Sequence, residues 1–311
     1  ATALRSGVRL PGGLSTAPAI GPHHTISWSI VSPVQKTVLL LREIREADRA
    51  ETGGKGAGLA RLAALGFPVP PAFVVTASFF EAVRSRFPDE PEAEVLARRL
   101  PDALREAVES ALDALGEAPA GYAVRSSAAA EDAAGTSFAG VHESFLRVPR
   151  QEVVRALFRC WASAFAEPAL RYRRRMGLPS DTPDIRTGAV VQVMLRPCAA
   201  GVLFTREPGS AGGHILISAV AGSGEELVQG RVRPASLRFS RAGDGPPVEI
   251  PPGIPLSEGV LGDLVRMALE AEAAWGVPLD LEWAVEGDRV SLLQARPITA
   301  TAPAFGIARD E

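Results

Sequence analysis

Near the C-terminal end, two segments alternate polar and apolar residues around a short turn. They are Asp280-Leu281-Glu282-Trp283 and Leu293-Gln294-Ala295-Arg296-Pro297, joined through Glu286-Gly287-Asp288. Successive strand side chains point to opposite faces, so Asp280 and Glu282 share a face, as do Gln294 and Arg296. An odd-length loop around Gly287 would put all four on the same side. Two carboxylates, an amide oxygen and a guanidinium then converge. Hard oxygen donors of this kind suit Mg²⁺, which takes one or two carboxylates and completes its shell with substrate phosphates. The arginine would offset charge on a phosphoryl group in transfer. A solvated polar face with a cross-strand ion pair would produce the same pattern.

A second group of candidates suits anions. In Gly53-Gly54-Lys55-Gly56-Ala57-Gly58, glycines let backbone N–H groups approach an anion, and the helix that follows adds partial positive charge. Lys55 adds a full charge. Of the 33 basic residues only Lys36 and Lys55 are lysine, which singles out the one set between glycines. The spacing is neither that of a P-loop nor of a dinucleotide fingerprint, and a flexible turn with an incidental lysine fits as well. Arg125, in Val124-Arg125-Ser126-Ser127, has the fork geometry to clamp a phosphate. It fits equally a surface arginine at a strand end. The small residues Thr136, Ser137, Phe138, Ala139 and Gly140 could fold over phosphates as a loop, or form an ordinary mobile one.

Two further segments bear on a nucleoside. Gln192, Val193, Met194 and Leu195 end an apolar strand that could wall a purine ring or simply lie in a core. Glu225, in a glycine-rich turn, could accept hydrogen bonds from a ribose or sit in a plain loop.

These residues need a frame. Short apolar runs at 37–42, 121–125, 188–195, 201–205 and 214–219 predict strands, 68–76 reads as a loop feeding a strand, and helical spacing predicts helices over 77–86, 93–115, 152–176 and 257–275. The chain is α+β, with a helical first half and a second half that turns strand-rich from Thr187. Residues 1–35 lack periodicity and are expected to form a mobile N-terminal extension, and 301–311 a tail. A net charge of −3 with no block of like charge argues against a nucleic-acid partner. No run of apolar residues has membrane-spanning length. Two cysteines outside any metal-like spacing fit a reducing cytoplasm.

The order of the motifs is more specific than any one of them. Gly-Gly-Lys-Gly, Pro-Val-Pro-Pro-Ala-Phe-Val-Val-Thr, Val-Arg-Ser-Ser-Ala-Ala-Ala-Glu-Asp, Ser-Phe-Ala-Gly-Val-His-Glu-Ser-Phe-Leu, Gly-Val-Leu-Phe-Thr, Gly-Glu-Glu-Leu-Val-Gln-Gly, Leu-Glu-Trp-Ala and Leu-Leu-Gln-Ala-Arg-Pro-Ile-Thr follow one another from about Val38 to Thr299. This series closely resembles the N-terminal ATP-binding domain of phosphoenolpyruvate synthase and pyruvate phosphate dikinase, a group that includes rifampin phosphotransferase. The resemblance implies an ATP-grasp fold, with subdomains 36–186 and 187–300 clamping ATP and Mg²⁺. It implies that Lys55 and Arg125 bind phosphates and that Thr136–Gly140 cover them. Gln192–Leu195 would form the adenine-side strand, with Thr205 and Glu225 near the nucleotide. Glu282 and Gln294 would ligate Mg²⁺, Arg296 would contact the terminal phosphate, and Asp280 matches an acidic position on the same face. Members of the group continue into a swivelling domain with a phosphorylatable histidine and an acceptor domain. None of His23, His24, His142 and His214 lies in the expected Thr-Ser-His context. The resemblance therefore implies a separate phosphohistidine domain and acceptor domain as partners, direct transfer to a small-molecule acceptor, or a chain cut short. A nucleotide-sensing module without catalysis is the alternative.

Overall fold

The computed structural model describes residues 37–86, 97–128, 144–175, 177, 185–209, 213–224, 232–241 and 250–298. The proposed extension 1–35, the tail, Thr136–Gly140, His142 and Glu225 lie outside them.

The apolar runs of the first part form a five-stranded sheet of β1 (Val38–Leu40), β2 (Ala72–Val75), β3 (Tyr122–Ala128), β4 (Ser144–Val148) and β5 (Thr187–Val193). The strand order is β1-β2-β5-β3-β4. Every neighbouring pair is antiparallel. Phe73, Val75, Val124, Ala189 and Val191 turn to one face. There they meet α2 (Ala77–Arg86), α3 (Asp102–Leu115) and α4 (Val153–Ser163). Aromatic rings fill this layer, with Phe80 stacked on Trp161 at 5.3 Å between centroids. The other face, through Ala72, Val74 and Val190, receives Leu59 and Ala60 of α1 (Arg49–Ala64).

The chain crosses to a second antiparallel sheet after Val193. This sheet contains β6 (Ala199–Phe204), β7 (His214–Ala221), β8 (Ala235–Ser240), β9 (Leu279–Glu286) and β10 (Arg289–Pro297), in the order β10-β9-β6-β7-β8. Its apolar face, with Leu203, Ile215, Ile217, Leu281, Trp283 and Leu292, packs on α6 (Glu258–Trp275). Ser257 caps α6 by accepting the Val260 N–H at 3.2 Å. Leu62 of α1 is buried in the same core, so α1 is built into both layers.

The architecture is α+β, as the periodicities imply. Three features depart from the sequence expectations. The strand beginning at Thr187 belongs to the first sheet, between β2 and β3, so the change of sheet follows Val193 instead of preceding Thr187. The helix expected over 152–176 is two, α4 and α5 (Glu167–Arg175). Pro168 lacks an N–H and its ring would clash with the carbonyl four residues back, so one helix cannot run through it. The edge strands β4 and β8 lie outside the strands expected from the sequence. In β8 the sequence does alternate, with Ala235, Leu237 and Phe239 against Ser236, Arg238 and Ser240, but at a sheet edge only Leu237 is fully buried and the signal is a short one.

Candidate functional site

Cross-strand partners share a face, and β9–β10 pairs Glu282 with Gln294 and Asp280 with Arg296. All four polar side chains therefore stand on one side of the second sheet, as expected, but for a different reason. Glu286 pairs with Arg289, so the loop is two residues, Gly287-Asp288, an even length. That register alone would set Leu293 opposite Glu282. The ladder slips by one between Leu292 and Gln294, and this bulge restores the alignment. The bulge also shows in the core: Val290 and Leu292 alternate inward, and the next inward residue is Ala295.

Arg296 donates to Asp280 Oδ2 through Nε at 2.8 Å and approaches it with Nη2 at 2.7 Å. From the first sheet, Arg125 of β3 reaches across and bridges the same hairpin. Its Nη2 donates to Glu282 Oε2 at 2.7 Å and its Nη1 to Gln294 Oε1 at 3.4 Å. Burial acts to raise the pKa of Glu282, but Arg125, by charge and hydrogen bond, and then the charges of Arg296 and Lys55 outweigh it. The carboxyl is held below its ordinary value and stays ionised. Lys55, Arg125, Glu282, Gln294, Asp280 and Arg296, drawn from α1, β3, β9 and β10, thus form one electrostatic cluster.

The glycine run has another task than the one its composition suggests. It is not an open loop but lies inside α1, which kinks at Gly53 (φ 69°, ψ 177°). The glycines allow close packing. A Cβ on Gly53 would lie 2.1 Å from the Ser127 carbonyl oxygen, and one on Gly58 would lie 2.6 Å from that of Ala295. The Gly56 N–H is directed at Ser127 Oγ at 3.1 Å and is not free for an anion. Lys55 is carried in the first turn after the kink.

Of the nucleoside candidates, Gln192 is buried on the β3-facing strand β5 and its Nε2 has no hydrogen-bond partner among the described residues. Arg125 Nε is buried in the same condition. Val193 ends β5, and Met194 and Leu195 line a cavity of about 1070 Å³ together with Gly121, Tyr122, Arg147 and Ser223. Thr205, expected near the nucleotide, is fully buried. Its hydroxyl accepts the Leu279 N–H at 2.8 Å and hydrogen-bonds the Glu272 carboxylate, so both its functions are taken. Ser127 escaped the sequence reading, because a serine in a strand carries no pattern of its own.

The donors present fit a magnesium ion. An ionised carboxylate and an amide oxygen stand side by side, and the Arg125 guanidinium already holds a cation against both. Among the described residues no group of three or more His, Cys, Asp or Glu gathers, so a metal here would draw its remaining ligands from phosphate or water.

The structure is thus a two-sheet α+β protein with a mixed-charge cluster where β3 and α1 meet the β9–β10 hairpin. Residues 90–249 match the family model described as pyruvate phosphate dikinase, AMP/ATP-binding domain. The chain belongs to this family of AMP/ATP-binding domains. It is 35% identical over 318 residues to a rifampicin phosphotransferase of a Streptomyces species, covering 86% of this chain and 36% of that protein. It is 35% identical over 288 residues to a prodigiosin synthesizing transferase of Serratia marcescens, covering 80% of this chain and 32% of that one. It is 31% identical over 336 residues to a probable phosphoenolpyruvate synthase of Methanothermobacter thermautotrophicus, covering 91% and 48%. The chain therefore spans 32% to 48% of the length of these relatives. Among solved structures, a D-alanine-D-alanine ligase from Helicobacter pylori aligns at TM-score 0.41 and 11% identity, over 80% of this chain and 55% of that one.

Proposed function

We propose that the chain binds Mg·ATP in an ATP-grasp manner between its two sheets and supplies a phosphoryl group to a histidine on a separate swivelling domain, which passes it to a small molecule. The observation that carries this is the Arg125 fork, which spans from the first sheet to Glu282 and Gln294 of the second while Lys55 and Arg296 act on the same carboxylate. Three fixed cations around two carboxylates leave an excess of positive charge suited to a polyphosphate.

In this assignment Lys55, Arg125 and Arg296 hold phosphate oxygens, and Asp280 fixes the plane of the Arg296 guanidinium. Glu282 and Gln294 would hold Mg²⁺, which would supply positive charge to offset the phosphates. Arg125, which bridges Glu282 and Gln294 here, would turn its fork to phosphate oxygens. The adenine lies toward Gln192–Leu195, where the orphaned Gln192 amide offers a donor. Thr136–Gly140 and Glu225 keep the roles the resemblance implies, over the phosphates and near the nucleotide. The relatives matched over this segment are named for three different products or acceptors, rifampicin, prodigiosin and phosphoenolpyruvate. This supports placing ATP in the shared part and the choice of acceptor outside it.

The test is incubation with Mg·ATP and a histidine-bearing partner domain. Acid-labile phosphate on the partner and release of AMP are expected, and both disappear in Glu282→Ala. ADP with direct labelling of a small molecule would indicate a kinase. Tight ATP binding without turnover beside any partner would indicate a sensing module.

A further inference from the structure

We propose that Ser127 is a positioning residue that opens the Thr52–Gly56 turn of α1 and so sets the place of Lys55. This rests on the assignment of Lys55 as a phosphate ligand. In an unbroken helix the Gly56 N–H would donate to the Thr52 carbonyl, four residues back. Here the Ser127 hydroxyl is inserted into that bond. It accepts the Gly56 N–H at 3.1 Å and donates to the Thr52 carbonyl at 2.6 Å. Insertion of a side chain into the hydrogen-bond ladder is one of the few causes of a sharp helix kink. The kink lies where the insertion requires it, at Gly53, in a conformation that only glycine adopts without strain.

The surroundings make the insertion a fixed device. Ser127 and Thr52 are both completely buried, so neither bonding group has water as a substitute. The Thr52 hydroxyl donates to the Asp48 carbonyl at 3.0 Å and anchors the turn before the kink. The Ser127 carbonyl oxygen lies against Gly53, closing the other side. Lys55 sits between the two residues that Ser127 grips. Ser127 is also two residues beyond Arg125 in β3, on the same face of the strand. One strand face thus delivers Arg125 to the hairpin directly and aims Lys55 at it through the helix. With an alanine at 127, the Gly56–Thr52 bond can close, which straightens the turn and displaces Lys55.

The test is a double-mutant cycle on Mg·ATP affinity, measured calorimetrically on the full chain. Ser127→Ala weakens binding by about tenfold when Lys55 is present, the scale of a lost buried hydrogen bond. In the Lys55→Ala background the same change has less than about a twofold effect, because its action runs through Lys55. A purely structural role would give the same loss in both backgrounds, and that result overturns the inference. So does unchanged affinity in Ser127→Ala. If Ser127→Ala does not fold, Ser127→Thr, which keeps the hydroxyl, is expected to bind within about threefold of wild type. A tenfold loss in that folded variant overturns the inference instead. Wild-type chain that fails to bind Mg·ATP, or Lys55→Ala that binds as wild type, would refute the underlying assignment and the inference with it.

Discussion

The β9–β10 hairpin and the start of α1 feed the same charged cluster with residues of different kinds. In the hairpin, Asp280, Glu282, Gln294 and Arg296 face the cluster and act through their own side chains. In α1 only Lys55 does so, while Gly53 and Gly58 are absences that let strands approach. Polar residues at strand spacing therefore marked the charged cluster, whereas glycines marked contact between backbones. Substitutions in the two regions should separate accordingly: fold stability for the glycines, ligand affinity for the hairpin.

The largest expected effect is Gly53→Ala, which forces a side chain into a glycine-only conformation and against the Ser127 carbonyl. It should lower unfolding free energy by about 3 kcal/mol or more, read from urea unfolding. Gly58→Ala, whose Cβ would meet Ala295 O, should lower it by about 2 kcal/mol, again in urea, through separation of α1 from β10. The hairpin counterpart is Arg296→Lys, which keeps the charge and loses the two-nitrogen contact to Asp280. It should weaken Mg·ATP binding by about tenfold while moving stability by under about 1 kcal/mol. A large stability loss in this variant would erase the contrast between the two regions.

The smallest effect concerns pH. Glu282 and Glu272 both have lowered pKa values: burial opposes the shift in each, and Arg125 and Arg241 respectively overcome it. A lowered folded value means stability that is present above the unfolded carboxylate range and lost as pH falls through the folded value. The urea midpoint should therefore drop below pH of about 4.3, and Glu282→Gln should flatten that drop.

Much of this was legible before the structure. Strand alternation placed Asp280 with Glu282 and Gln294 with Arg296, because a two-residue period survives in a half-buried hairpin. It did not show the loop length, since Glu286-Gly287-Asp288 reads equally as an even or an odd turn. The compensating bulge leaves only the skipped step from Leu292 to Ala295. The purpose of Gly53–Gly58 was hidden because close approach depends on what lies opposite, and Ser127 and Ala295 are distant in sequence. The sheet assignment of Thr187–Val193 was hidden for a similar reason. A buried apolar strand carries no label for the neighbours it pairs with.

The most direct test of the central claim is ATP affinity measured with Mg²⁺ and with chelator, in wild type and in Glu282→Ala. Wild type should bind ATP far more tightly with the metal, and Glu282→Ala should lose about 100-fold of that affinity, as expected for breaking a largely buried charge cluster. Equal affinity with and without Mg²⁺ in the wild type, or Glu282→Ala that retains the full effect of the metal, would contradict it.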